Sequence, residues 1–126
     1  MAEIKELRDD HGINTHSAAN LLVSDGNSLI ATCFTYDFGC YDGLITNAVL
    51  NPEMHSLWYS VGSRFGCFDG QWTMAAEVDQ GYTSMVLASE PLTKDVSSWV
   101  ELQKYTMLVI DRSDGLIRMS TREIDL

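Results

Sequence analysis

Apolar residues in this chain come in short runs cut by polar and glycine-containing turns, the pattern of strands rather than of long helices. Met85, Val86, Leu87 and Ala88 form one such run, and its length fits a strand buried on both faces. Ser89 and Glu90 put polar side chains at its C-terminal end. Pro91 lacks a backbone donor, so the strand stops there. Thr93 and Asp95 are expected to bond nearby backbone N–H groups in the turn that follows, and Trp99 to fold back over the corner. On its residues alone, the stretch from Ser84 to Trp99 reads as a structural strand-to-loop corner.

The segment Asn20–Tyr36 predicts a hairpin. Two β-prone runs flank Ser24-Asp25-Gly26-Asn27, and Asp-Gly supplies the positive φ that tight hairpin turns require. Its second strand alternates Leu29, Ala31, Cys33 and Thr35 against Ile30, Thr32, Phe34 and Tyr36, so both faces carry apolar groups. His55–Val61 predicts another strand, followed by a glycine-rich bend over Gly62–Gly70. Gln71–Asp79 fits either a strand or a short helix. Tyr105–Asp111 is a further apolar strand, and Ser113-Asp114-Gly115 turns the chain into its hairpin partner Leu116–Ser120. Ile4 and Leu7 lie three residues apart, which predicts a short amphipathic helix over residues 3–10 with Gly12 as its C-terminal cap. Residues 37–52, with Gly39, Gly43 and Pro52, read as a loop in which Asp37, Cys40, Tyr41 and Asp42 lie close together as solvated groups. Six or so strands with little helix predict an α+β fold built on a mostly antiparallel sheet. Two apolar faces then call for further layers to cover them.

Composition narrows the function. A chain of 126 residues is expected to be one domain, residues 1–126, and 45% apolar content makes it globular. Its formal charge of −10, from 18 acidic against 8 basic residues, repels nucleic acid and anionic membrane surfaces, so neither is an expected partner. No apolar run approaches the roughly 18 residues of a membrane span. The N-terminal residues are too polar for a signal-peptide core. Cys33, Cys40 and Cys67 are odd in number and lack metal-type spacing, which suits a reducing cytoplasm.

Candidate chemistry is sparse. Cys33 lies within a strand and reads as core. Cys67, in the glycine-rich bend beside Arg64, is the best nucleophile candidate of the three, since a thiol needs a positive neighbour or base to ionise. His11, His16 and His55 do not stand at ligand spacing, and no metal or cofactor is expected. The bend is no phosphate loop, because no Lys-Ser/Thr follows it. Ser89 lacks the Gly-x-Ser-x-Gly elbow of a hydrolase serine. An independent hydrolase using Cys67 with His55 or His16 is the weakest reading.

One resemblance adds to these residues. Ser17-Ala-Ala-Asn-Leu-Leu-Val-Ser-Asp-Gly26, Ile30-Ala-Thr32, Leu57-Trp-Tyr-Ser60, Tyr59-Ser-Val-Gly-Ser-Arg-Phe65 and Ala88-Ser-Glu-Pro-Leu-Thr93 with Trp99 occur in this order. Over residues 17–119 the chain resembles the C-terminal half of a class II glutamine amidotransferase domain. It is most similar to the fungal amidotransferase-like subunits of the glutathione-degrading complex. The resemblance implies a partial αββα sandwich of the N-terminal-nucleophile type, whose family hydrolyses γ-glutamyl amides through an N-terminal cysteine thiolate. Family members carry that cysteine directly after the initiator methionine, where this chain has Ala2. They carry an Asn-Gly oxyanion pair that this chain lacks, and commonly an Arg where it has Cys33. No catalytic residue is therefore carried over. Ser89 and Glu90 match a motif near the substrate pocket and are the candidate pocket-lining residues. The resemblance implies a protein that is inactive alone, the alternative being a non-catalytic interaction module that keeps the family's subunit interface. Either way the expected partners are further copies of the chain or an amidotransferase or peptidase subunit.

Overall fold

A computed structural model describes residues 1–36, 56–76 and 81–125. The N-terminal residues form helix α1 (Ala2–Asp10). Gly12 ends it at φ +64°: its N–H donates to the Asp9 carbonyl at 3.1 Å, while the Ile13 N–H reaches back to the Arg8 carbonyl at 2.8 Å. That pair of bonds is a Schellman cap, and it needs the left-handed residue that glycine supplies. The expected apolar face is not the buried one. Ile4 and Leu7 are exposed, and the residue α1 buries is Arg8. Its guanidinium donates to Ser17 Oγ at 2.8 Å and to the Thr15 carbonyl at 2.5 Å, and lies 5.0 Å from the centre of the Tyr36 ring. A charge-assisted anchor has displaced the hydrophobic one.

Eleven strands follow among the described residues. They are β1 (Ser17–Ala18), β2 (Leu21–Ser24), β3 (Ser28–Cys33), β4 (Thr35–Tyr36), β5 (Trp58–Gly62), β6 (Arg64–Phe68), β7 (Gln71–Ala75), β8 (Ser84–Ala88), β9 (Val100–Glu101), β10 (Thr106–Ser113) and β11 (Leu116–Glu123). All the strand pairings are antiparallel. One sheet runs β11-β10-β3-β2 and another β8-β5-β9, with β6-β7 and β1-β4 as two-stranded pairs. The expected α+β class with a mostly antiparallel sheet is what the chain forms.

The hairpin expected over Asn20–Tyr36 is present as β2–β3. Asp25 closes its loop, its Oδ1 accepting the N–H groups of Asn27 at 2.9 Å and Ser28 at 2.7 Å. The expected second strand divides, however. Phe34 interrupts it, its carbonyl taking the Ala19 N–H at 2.8 Å, and Thr35–Tyr36 pairs instead with β1. Residues 64–68 are a strand and not a bend. β6 pairs with β7 in a hairpin closed by Asp69 and Gly70, at φ 50° and 78°, the two positive values of a type I′ turn. The open choice at Gln71–Asp79 resolves to strand for Gln71–Ala75, while residues 77–80 lie outside the described residues. The loop with Asp37, Cys40, Tyr41 and Asp42, and the strand start at His55, also lie outside them.

Two sheets share one core. Ala31 and Cys33 of β3 and Leu108 and Ile110 of β10 pack with Leu57 and Leu102, and Tyr59, Met85 and Leu87 of the three-stranded sheet close over them. Strand parity explains the set, since alternate residues of each strand point the same way. The expected covering layer is thus, for one face of each sheet, the other sheet. β8 is an edge strand among those described and is half-buried throughout, not a central strand buried on both faces. Its apolar sequence satisfies one inner face, and an edge position leaves the rest open.

Candidate functional site

Beyond β8, the corner expected between Ser84 and Trp99 forms around Asp95. Its Oδ1 accepts the Ser97 N–H at 3.0 Å and the Ser97 hydroxyl at 2.6 Å, capping a single 3-10 turn over Val96–Ser98. These bonds to the ionised form hold the Asp95 carboxyl below its ordinary pKa. The expected Trp99 lid is there: the indole is buried and donates from Nε1 to Thr93 Oγ1 at 2.8 Å. Thr93 differs from expectation. Its hydroxyl donates to the Asp95 carbonyl at 2.9 Å while accepting from Trp99, and so bonds a side chain and a C=O rather than a backbone N–H.

The aromatic lid continues outward. Phe65 meets Trp99 edge-on at 6.5 Å between ring centres, and Trp72 stacks on Phe65 at 5.6 Å and 26°. Parity on the β6–β7 hairpin puts Phe65, Cys67, Trp72 and Met74 on one side, so β6 and β7 extend the corner's apolar floor. A cavity of about 670 Å³ lies between the hairpin tip, Phe68–Thr73, and the loop Leu92–Asp95. Its lining residues include the acidic Asp69 and Asp95, the basic Lys94 and Trp72, which is largely exposed. A second hollow of about 300 Å³ at the end of the two sheets is lined mainly by apolar residues, among them Leu29, Met85, Leu87, Ile110 and Ile117, with Arg112 at its rim.

Ser89 and Glu90 stand exposed at the end of β8. The Ser89 carbonyl accepts the Ser56 hydroxyl at 2.7 Å, which ties the corner to the start of β5. Neither residue lines the larger cavity, whose wall on this side begins at Leu92.

Cys33 is fully buried, and burial pushes its thiol pKa up, against a smaller opposing pull from Lys104. It is the core residue its strand position predicts. Cys67 is exposed, but Arg64 does not stand beside it. Three residues apart on one strand, the two side chains leave opposite faces. The Arg64 guanidinium lies over the Phe68 ring instead, 5.4 Å from its centre. The activation expected of Arg64 is therefore missing. Iodoacetamide at neutral pH should modify Cys67 at the rate of an ordinary free thiol and leave Cys33 untouched in the folded protein, as read by peptide mass mapping. Labelling of Cys67 far faster than a free thiol would restore the cysteine-hydrolase reading. Among the described residues no three His, Cys, Asp or Glu side chains gather as a metal site, and no helix is long and apolar enough to cross a membrane.

Two features escaped the sequence pattern. The Arg8 anchor carried no signal, since one arginine in an acidic helix reads as solvated. The Asp69-Gly70 turn did carry one, because it repeats the Asp-Gly signature of the other two hairpins. Compared with family models, curated proteins and solved structures, the chain shows no significant match.

Proposed function

We propose that this chain is a class II glutamine amidotransferase-like protein, with the family role of hydrolysing γ-glutamyl amides in glutathione catabolism, and that these 126 residues do not perform that hydrolysis alone. The observation that supports the reading is architectural: two antiparallel sheets meet on a single core, with the Ala88–Thr93 motif and Trp99 at the corner where one of them ends. A layered pair of sheets is what the partial αββα sandwich calls for. The chemistry follows from the resemblance, which leaves every catalytic position of the family outside these residues. Purified chain incubated with glutamine or with glutathione should release no glutamate above a protein-free control. Turnover at an enzyme-like rate contradicts the proposal.

A non-catalytic interaction module is the second reading, and a specific feature favours it. Leu21, Leu22 and Val23 are all exposed on β2, which is an edge strand of the four-stranded sheet among the described residues. An edge strand with apolar side chains and unpaired backbone groups invites pairing with another chain. On this reading the protein associates with itself or with an amidotransferase or peptidase subunit in the cytoplasm, where the Cys33 and Cys67 thiols remain reduced. Sedimentation as a well-behaved monomer, with no partner recovered, contradicts it.

A further inference from the structure

The cavity between the β6–β7 tip and the Leu92–Asp95 loop has the features of a built recognition site. Trp72 exposes 59% of its surface there. One face of the indole is already taken by Phe65, which rests edge-on against the buried, hydrogen-bonded Trp99. Two further aromatic groups in series, Phe65 and Trp99, thus hold Trp72 in place and leave its outer face open. Preorganisation of this kind lowers the cost of ordering a binding surface.

The polar groups around the cavity select the ligand. Asp95 is held ionised with Oδ1 committed to Ser97, and Oδ2 takes no part in those bonds. Asp69 sits at the hairpin tip with its backbone set by the type I′ turn. Lys94 offsets one of these two carboxylates, leaving the described residues of the wall with a net negative charge. The chain's charge of −10 adds a long-range field of the same sign. A cation over a tryptophan face is the most favourable of the cation–π pairs. Phe68 already carries Arg64 over its ring, so Trp72 is the open platform, while Leu92 supplies an apolar wall for an alkyl stem.

We propose that this cavity binds an alkyl ammonium or guanidinium group, its charge over the outer face of Trp72 and flanked by Asp69 and Asp95. Two sources carry that chemistry, a free linear polyamine and a Lys or Arg side chain of a polypeptide. The test follows the Trp72 indole N–H resonance of the full chain in a nitrogen–proton correlation spectrum at low salt. Spermidine and an end-blocked hexapeptide containing Arg and Lys are titrated in turn, with a neutral oligosaccharide of similar size as the control.

The expected result is a saturable shift at Trp72 with one or both cationic probes and none with the sugar. The probe that binds tighter identifies the source. Asp69→Asn should weaken binding about threefold. This variant keeps the turn, since Asn suits positive φ as well as Asp does. Trp72→Phe, a poorer cation platform that still stacks, should also weaken binding, read at the Gly70 and Gln71 amides. A shift with the sugar alone overturns the proposal. So does cation binding that leaves Trp72 unmoved, or an Asp69→Asn variant with unchanged affinity.

Discussion

Phe34→Ala should lower the unfolding free energy by about 3–5 kcal/mol, which urea denaturation will read as a large drop in midpoint with little change in slope. Phe34 has no exposed surface, and it stands where the β3 path breaks and the chain turns to pair with β1. Its ring meets Tyr36 edge-on at 4.8 Å and Tyr105 edge-on at 5.3 Å between centres. Alanine removes both contacts and leaves a hole that the backbone cannot close, because the Phe34 carbonyl is tied to Ala19 and the Tyr105 N–H to the Cys33 carbonyl at 2.7 Å. A domain of this size is stabilised by only about 5–15 kcal/mol in total, so the loss is a large share. Phe34→Leu should cost less than the alanine change, since it refills much of the volume. An alanine variant with the wild-type midpoint would show that this aromatic cluster does not hold α1, β1 and β4 to the sheet.

Gly62→Ala should be the next most damaging change, for a steric rather than a conformational reason. A Cβ at position 62 would lie 2.6 Å from Met74 Cγ and, without adjustment, inside the contact distance of the Ala75 carbonyl oxygen. Met74 is a flexible side chain that can move away, whereas Ala75 is backbone and cannot. That same carbonyl accepts the Ser63 N–H at 2.8 Å and the Ser63 hydroxyl at 3.1 Å, the bonds that seat the β6–β7 hairpin where β5 ends. Overpacking typically costs about 1–3 kcal/mol, and here it falls on a junction. The expected signature is local as well as global: faster exchange of the Ser63 amide and a changed Trp72 environment. Wild-type stability with unchanged exchange at Ser63 would mean that β5 and β7 do not approach as described.

Legibility in the sequence followed locality. Asp25-Gly26 and Asp114-Gly115 each stand between two β-prone runs, and both hairpins form where the pattern puts them. Asp69-Gly70 has the same signature, but Gly62 and Gly66 nearby make the whole stretch look like a bend. Gly62 is there for close approach of β7, and nothing in a single sequence distinguishes that need from a turn. The helix shows the limit of periodicity: Ile4 and Leu7 mark a face, yet the Arg8 bonds to Ser17 and Thr15 decide which face turns inward. The Trp99 lid was legible because its partner Thr93 is only six residues away. The cavity was not, because it joins residues 68–73 to residues 92–95 through packing that no local pattern encodes. Strand parity alone separates Arg64 from Cys67, and it applies only once residues 64–68 are known to be extended.

We propose that these sheets form the back portion of an N-terminal-nucleophile amidotransferase body, and reconstitution is the sharpest test of that. The purified chain is mixed with the separately produced N-terminal half of a class II glutamine amidotransferase of the resembled family, bearing its N-terminal cysteine, and glutamate release from glutamine and glutathione is followed. The expected result is no release by either piece alone, release on mixing, and its loss when that cysteine is replaced by alanine. Two pieces that neither associate nor hydrolyse at tens of micromolar, or hydrolysis by this chain without the other, would contradict it.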